Sequence, residues 1–114
     1  MGATDPKTWT ALPSPSHPDF DSDTELAMLR AAAEGLLASG EDLSVRLAAS
    51  EPGYPCVEVS KRGKPFAELH IVLGDGRARY RYGVFQTDGD SPDAEAYVED
   101  VTSVVDAVRQ LIPR

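Results

Sequence analysis

Between Lys64 and Phe85 the chain alternates apolar and polar positions in two consecutive runs. Ala67, Leu69, Ile71 and Leu73 fall on one side of the first alternation, and Phe66, Glu68, His70 and Val72 on the other. Successive side chains of a strand point to opposite faces, so this run predicts a strand with one apolar face. Ala78, Tyr80, Tyr82 and Val84 alternate in the same way with Arg77, Arg79, Arg81, Gly83 and Phe85. Asp75-Gly76 lies between the runs and predicts a type I′ hairpin, because that turn needs positive φ at both central positions. A two-residue loop there sets Leu73 opposite Ala78, Ile71 opposite Tyr80, Leu69 opposite Tyr82 and Ala67 opposite Val84. All four apolar pairs then share a face, which a slip of one residue would destroy. The second face sets His70 opposite Arg81 and Val72 opposite Arg79; its mixed character predicts contact with water or with a partner.

The flanking pattern predicts two more strands and two helices. Leu43, Val45 and Leu47 alternate with Ser44, Arg46 and Ala48, and Val57 and Val59 alternate with Cys56, Glu58 and Ser60. Ser50-Glu51-Pro52-Gly53 and Lys61-Arg62-Gly63-Lys64 supply the turns, the second with a possible bulge at Gly63. The pattern leaves two registers open for the third strand, one with Glu58 opposite Glu68 and one with Glu58 opposite His70. Upstream, Leu26, Leu29, Ala33, Leu36 and Leu37 form a helical stripe over about residues 23–39, with Ser22 and Glu25 as a capping box and Gly40 as the stop. Downstream, Ser91 as N-cap, Pro92 as first residue and the apolar series Ala94, Tyr97, Val98, Val101, Val105, Val108, Leu111 and Ile112 predict a second helix over about residues 92–112. The expected fold is α+β: a two-layer sandwich in the order α-β-β-β-β-α, a four-stranded antiparallel meander with both helices on one face.

Residues 1–21 read as a Pro-rich flexible arm, and residues 22–114 as a single α+β domain. Trp9, the sole tryptophan, is either an anchor for a partner or a residue folded back on its own domain. An apolar content of 41% and a charged content of 26% suit a globular chain. No apolar run approaches the ~18 residues that span a membrane, and the N-terminus lacks a signal pattern, so the expected location is cytoplasmic.

The net charge of −8 is unevenly spread. Residues 1–40 carry six acids against two bases, residues 41–86 six against seven, and residues 87–114 seven against two. The helices are acidic and the strands nearly neutral. Such a field opposes general nucleic-acid binding and favours a basic protein partner.

Candidate chemistry is sparse. Cys56 is the sole cysteine and the histidines are His17 and His70, so no intramolecular disulfide is possible and neither a metal site nor a cofactor is expected. No catalytic motif stands out. Glu58, Glu68, His70 and Arg81 share the open face, where cross-strand charge pairing is the ordinary role for such groups. Arg79-Tyr80-Arg81-Tyr82 mixes bases with aromatics, but alternation sends the tyrosines to the core and the arginines outward, which is no stacking platform for bases.

The helix, four-strand, helix order resembles the small α+β domains of bacterial secretion-type chaperones and some toxin-immunity proteins, on architecture alone. The expected function is a non-enzymatic, chaperone-, adaptor- or immunity-like protein-binding module. It docks a protein partner, or a second copy of itself, through the open sheet face. The expected contact residues are Trp9, Arg46, Phe66, His70, Val72, Arg77, Arg79, Arg81 and Phe85. The alternative is a small-molecule binder or small enzyme with a cavity lined by Tyr80, Tyr82 and Tyr97.

Overall fold

The computed structural model describes residues 5–12, 21–49, 54–73, 80–87 and 95–112. A 3-10 turn, Pro6–Thr8, precedes α1 (Ser22–Leu37), β1 (Leu43–Ala49), β2 (Pro55–Lys61), β3 (Lys64–Leu73), β4 (Tyr80–Gln86), β5 (Glu95–Val98) and α2 (Val101–Leu111). The five strands form one antiparallel sheet in the order β1-β2-β3-β4-β5. Both helices lie on one face, α1 over β1 to β3 and α2 over β3 to β5. The α+β sandwich expected from the sequence is therefore present, with one strand more.

The additional strand replaces the first part of the expected second helix. Tyr97 and Val98 fit a helical stripe by spacing, yet they pair with Gly83 and Tyr82 across β4 and β5. Aromatic and β-branched residues favour a pleated surface, and β4 offers an unpaired edge to receive them. The helix starts afresh at Asp100, whose carboxylate accepts from the Ser103 N–H at 2.8 Å. The proposed cap at Ser91 and Pro92 lies outside the described residues.

Helix α1 also begins differently from the expected capping box. Asp21 is its N-cap: its carbonyl accepts from the Glu25 N–H at 2.9 Å, and its carboxylate accepts from the Thr24 hydroxyl at 2.6 Å. Glu25 is buried. The Asp21 N–H donates to the Tyr80 hydroxyl at 2.6 Å, which ties the helix start to β4. Gly40, with φ of +87°, takes the left-handed conformation that ends the segment.

Two details of register differ from expectation. The β3/β4 pairing sets Leu73 opposite Tyr80, Ile71 opposite Tyr82 and Leu69 opposite Val84, two residues displaced from the expected pairs. A shift of two keeps every side chain on its face, so the hydrophobic pattern alone cannot distinguish the registers. The Asp75-Gly76 turn falls in 74–79, outside the described residues. In the β2/β3 hairpin the two-residue connection is Arg62-Gly63, with φ of 56° and 79°, the positive pair that a type I′ turn requires. The bulge lies not at Gly63 but at Phe66: Val59 pairs with Ala67 and Ser60 with Pro65, leaving Phe66 as the additional residue.

The core fills the space between sheet and helices. Val45, Val57, Val59, Leu69, Ile71, Tyr82 and Val84 face Leu29, Ala32, Ala33 and Leu36 of α1 and Val104 and Val108 of α2. Gly35 lets the helices approach: a Cβ there would stand 2.5 Å from Val101 Cγ1. Of the two roles open to Trp9, partner anchor or residue folded back on its own domain, the structure has the second: it is only 2% exposed and joins this core beside α1 and β1. A large indole covering the end of the core offsets the entropy of ordering the segment that carries it.

Candidate functional site

The face of the sheet away from the helices carries the outward set of each strand. Arg46 of β1 pairs with Glu58 of β2, Glu58 with Glu68 of β3, Glu68 with Phe85 of β4, and Phe85 with Glu95 of β5. A second row runs alongside: Ala48 opposite Cys56, and His70 opposite Gly83, which is opposite Tyr97. Val72 opposite Arg81 continues it. Strand alternation sends these positions outward while their neighbours build the core.

Of the two open registers, the structure adopts the one that places Glu58 opposite Glu68. Like charges directly opposed are unfavourable, and each acid has a compensating neighbour. Arg46 Nη2 donates to Glu58 Oε1 at 3.0 Å, and His70 Nε2 lies 2.9 Å from Glu68 Oε1. Arg81 Nε lies 3.8 Å from Glu99.

An aromatic cluster runs across this face from β3 to the edge strand β5. Phe85 meets His70 edge-on at a centroid distance of 5.3 Å and Tyr97 at 5.9 Å. Its ring lies over Gly83, where a Cβ would stand 2.8 Å from Phe85 Cε2. A glycine in a strand exposes backbone, and an aromatic ring laid across it restores the covered surface. Tyr97 remains 51% exposed.

Cys56 is 2% exposed although it points to this open face. Burial, aided by Glu68 and Glu58 and opposed by Arg46, pushes its thiol up to about 12. Its Sγ, a Glu68 carboxylate oxygen and a His70 ring nitrogen all lie within 4.8 Å of one another. In the sequence Cys56 is the sole cysteine and no Cys-His motif surrounds it, because Glu68 and His70 belong to the next strand. The signal was the outward phase of Cys56, Glu68 and His70, which share a face whenever β2 and β3 pair with both apolar faces inward.

The expected contact residues separate into groups. Arg46, His70, Val72, Arg81 and Phe85 do share the open face. Phe66 does not: the bulge turns it inward, and it is fully buried in the core. Trp9 is likewise in the core. Arg77 and Arg79 lie outside the described residues. Arg81 stands on an interior strand rather than on the sheet edge, because β5 covers β4.

The tyrosines named for a cavity are not gathered either. The Tyr82 hydroxyl donates to the Met28 carbonyl at 3.0 Å, Tyr80 accepts from Asp21, and Tyr97 faces the opposite side of the sheet. Among the described residues no helix is long and apolar enough to cross a membrane. No protein-family model matches the chain, and no curated protein or solved structure does so either.

Proposed function

We propose that this chain is a protein-binding module that docks a basic protein partner through the open face of its sheet. The reading rests above all on one observation: both helices pack on the other face, leaving Tyr97 of the edge strand β5 51% exposed beside Phe85 on this one. Tyr and Arg are enriched where partners bury surface, and charged groups at the rim of an aromatic patch set orientation. Arg46, Arg81, Glu95 and Glu99 supply such a rim. The net charge of −8 steers a basic partner and disfavours encounter with a second copy. A chaperone-, adaptor- or immunity-like role falls within this reading.

The test begins with capture from the native host, comparing wild type with Tyr97→Ala and identifying retained proteins by mass spectrometry. A captured partner is then purified and titrated at two salt concentrations. The expected result is a basic partner whose affinity falls with salt and drops at least about 30-fold in the variant, the effect of losing one hot-spot residue. A partner bound equally by both proteins places the contact elsewhere and refutes the reading. A concentration-dependent dimer in light scattering that the variant abolishes replaces the basic partner with a second copy.

A further inference from the structure

We propose that Cys56, Glu68 and His70 form a binding site for one divalent cation of the zinc class on the open sheet face, with a coordination position facing outward. This inference is independent of the docking proposal.

The geometry carries it. Glu68 and His70 are two apart on β3 and so project from the same face, while Cys56 projects from the same face of the adjacent strand. The three donor atoms fall within 4.8 Å of one another. A tetrahedral zinc ion with bonds of about 2.0–2.3 Å holds its ligand atoms roughly 3.4–3.6 Å apart. His70 Nε2 and Glu68 Oε1, now 2.9 Å apart, need only open by about half an ångström to straddle such an ion. Cys56 Sγ, within 4.8 Å of both, needs to close by no more than about 1.4 Å to reach the same spacing.

The donor chemistry selects the metal. One thiolate, one imidazole nitrogen and one carboxylate suit a borderline ion such as zinc, and exclude calcium and magnesium, which want oxygen. Three protein ligands leave a fourth place for water. Glu58 stands near the thiol, but Arg46 holds its carboxylate at 3.0 Å, which makes it a neighbour rather than a ligand. The Phe85 ring against His70 fixes the imidazole plane. Charge balance points the same way: a thiolate and a carboxylate neutralise a doubly charged ion, and the cation relieves the opposition of Glu68 and Glu58 across the hairpin.

Binding displaces the thiol proton of Cys56, one proton being released per ion.

The experiment titrates the full chain with Co²⁺ and then Zn²⁺, following absorption and heat in metal-free buffer. The expected result is one ion per chain, a thiolate-to-cobalt charge-transfer band in the near ultraviolet, and its loss when zinc displaces cobalt. Cys56→Ala, which conserves a small apolar side chain, abolishes the band. Glu68→Gln and His70→Asn each weaken zinc binding at least tenfold, and His17→Ala leaves it unchanged. Circular dichroism monitors folding, and the His70 side-chain nitrogen shift of the wild-type chain on adding zinc provides a readout that needs no variant. No charge-transfer band together with no His70 shift overturns the proposal, as does binding that survives Cys56→Ala or disappears in His17→Ala.

Discussion

Gly83→Ala probes the aromatic cluster through a competition whose sign depends on one ring. In a strand, alanine is favoured over glycine by roughly 0.5–1 kcal/mol, because glycine loses more freedom on folding. Here the new Cβ would stand 2.8 Å from Phe85 Cε2 and 3.0 Å from Cζ, so the ring must lift. Lifting it disturbs two edge-to-face contacts, with His70 at 5.3 Å and Tyr97 at 5.9 Å. Each such contact is worth about 0.5–1.5 kcal/mol. The loss outweighs the gain, and Gly83→Ala is expected to destabilise the wild-type chain by about 0.5–2 kcal/mol. In a Phe85→Ala background the obstruction is absent and the same substitution is expected to stabilise by roughly 0.5–1 kcal/mol. Urea unfolding of the four proteins of this cycle, with equal m-values, measures both effects and a coupling of about 1–3 kcal/mol. The same sign in both backgrounds would falsify the account of the ring lying over Gly83.

Three further outcomes follow from the packing. Trp9→Ala is expected to cost roughly 3–5 kcal/mol, the range for removing a buried aromatic side chain, and thermal unfolding measures it; a change near zero would mean that the indole is not part of the core. Gly35→Ala gains helix propensity but forces Val101 Cγ1 away from a 2.5 Å approach, so it destabilises by about 1 kcal/mol, and adding Val101→Ala recovers much of that loss. In metal-free buffer, stability falls as pH rises from about 9 toward 12. The native state keeps the Cys56 proton that the unfolded chain gives up, so the stabilisation is complete below the unfolded pKa and is lost on approach to the folded one. Cys56→Ala should flatten that part of the alkaline decline in melting temperature, while Tyr82, also raised by burial, continues to contribute.

The face away from the helices matters because two different kinds of group converge on it from separate strands. The aromatic cluster depends on β5, which brings Tyr97 beside Phe85. The Cys56, Glu68 and His70 group depends on the β2/β3 hairpin and its Arg62-Gly63 turn. His70 belongs to both groups, through its ring contact with Phe85 and its nitrogen beside Glu68, but partner affinity and cobalt binding are measured separately, so the two proposals can fail separately.

The sequence by itself determined the sandwich. Alternation over residues 43–48, 56–60, 66–73 and 77–85 assigns four of the five strands and the face of most side chains, because period two follows from the covalent geometry of an extended chain. The outward phase of Arg46, His70, Val72, Arg81 and Phe85 was legible for that reason. Tertiary structure decided what periodicity cannot encode. A register displaced by two residues preserves every face, so only the pairing itself distinguishes Leu73 opposite Tyr80 from Leu73 opposite Ala78. Tyr97 and Val98 satisfy a helical stripe and a strand equally well, and the open edge of β4 chose the strand. Phe66 reverses its expected face because one bulge residue changes the phase of everything before it. Trp9 is buried because the end of the core between α1 and β1 leaves room for an indole, a shape that exists only once those elements have met.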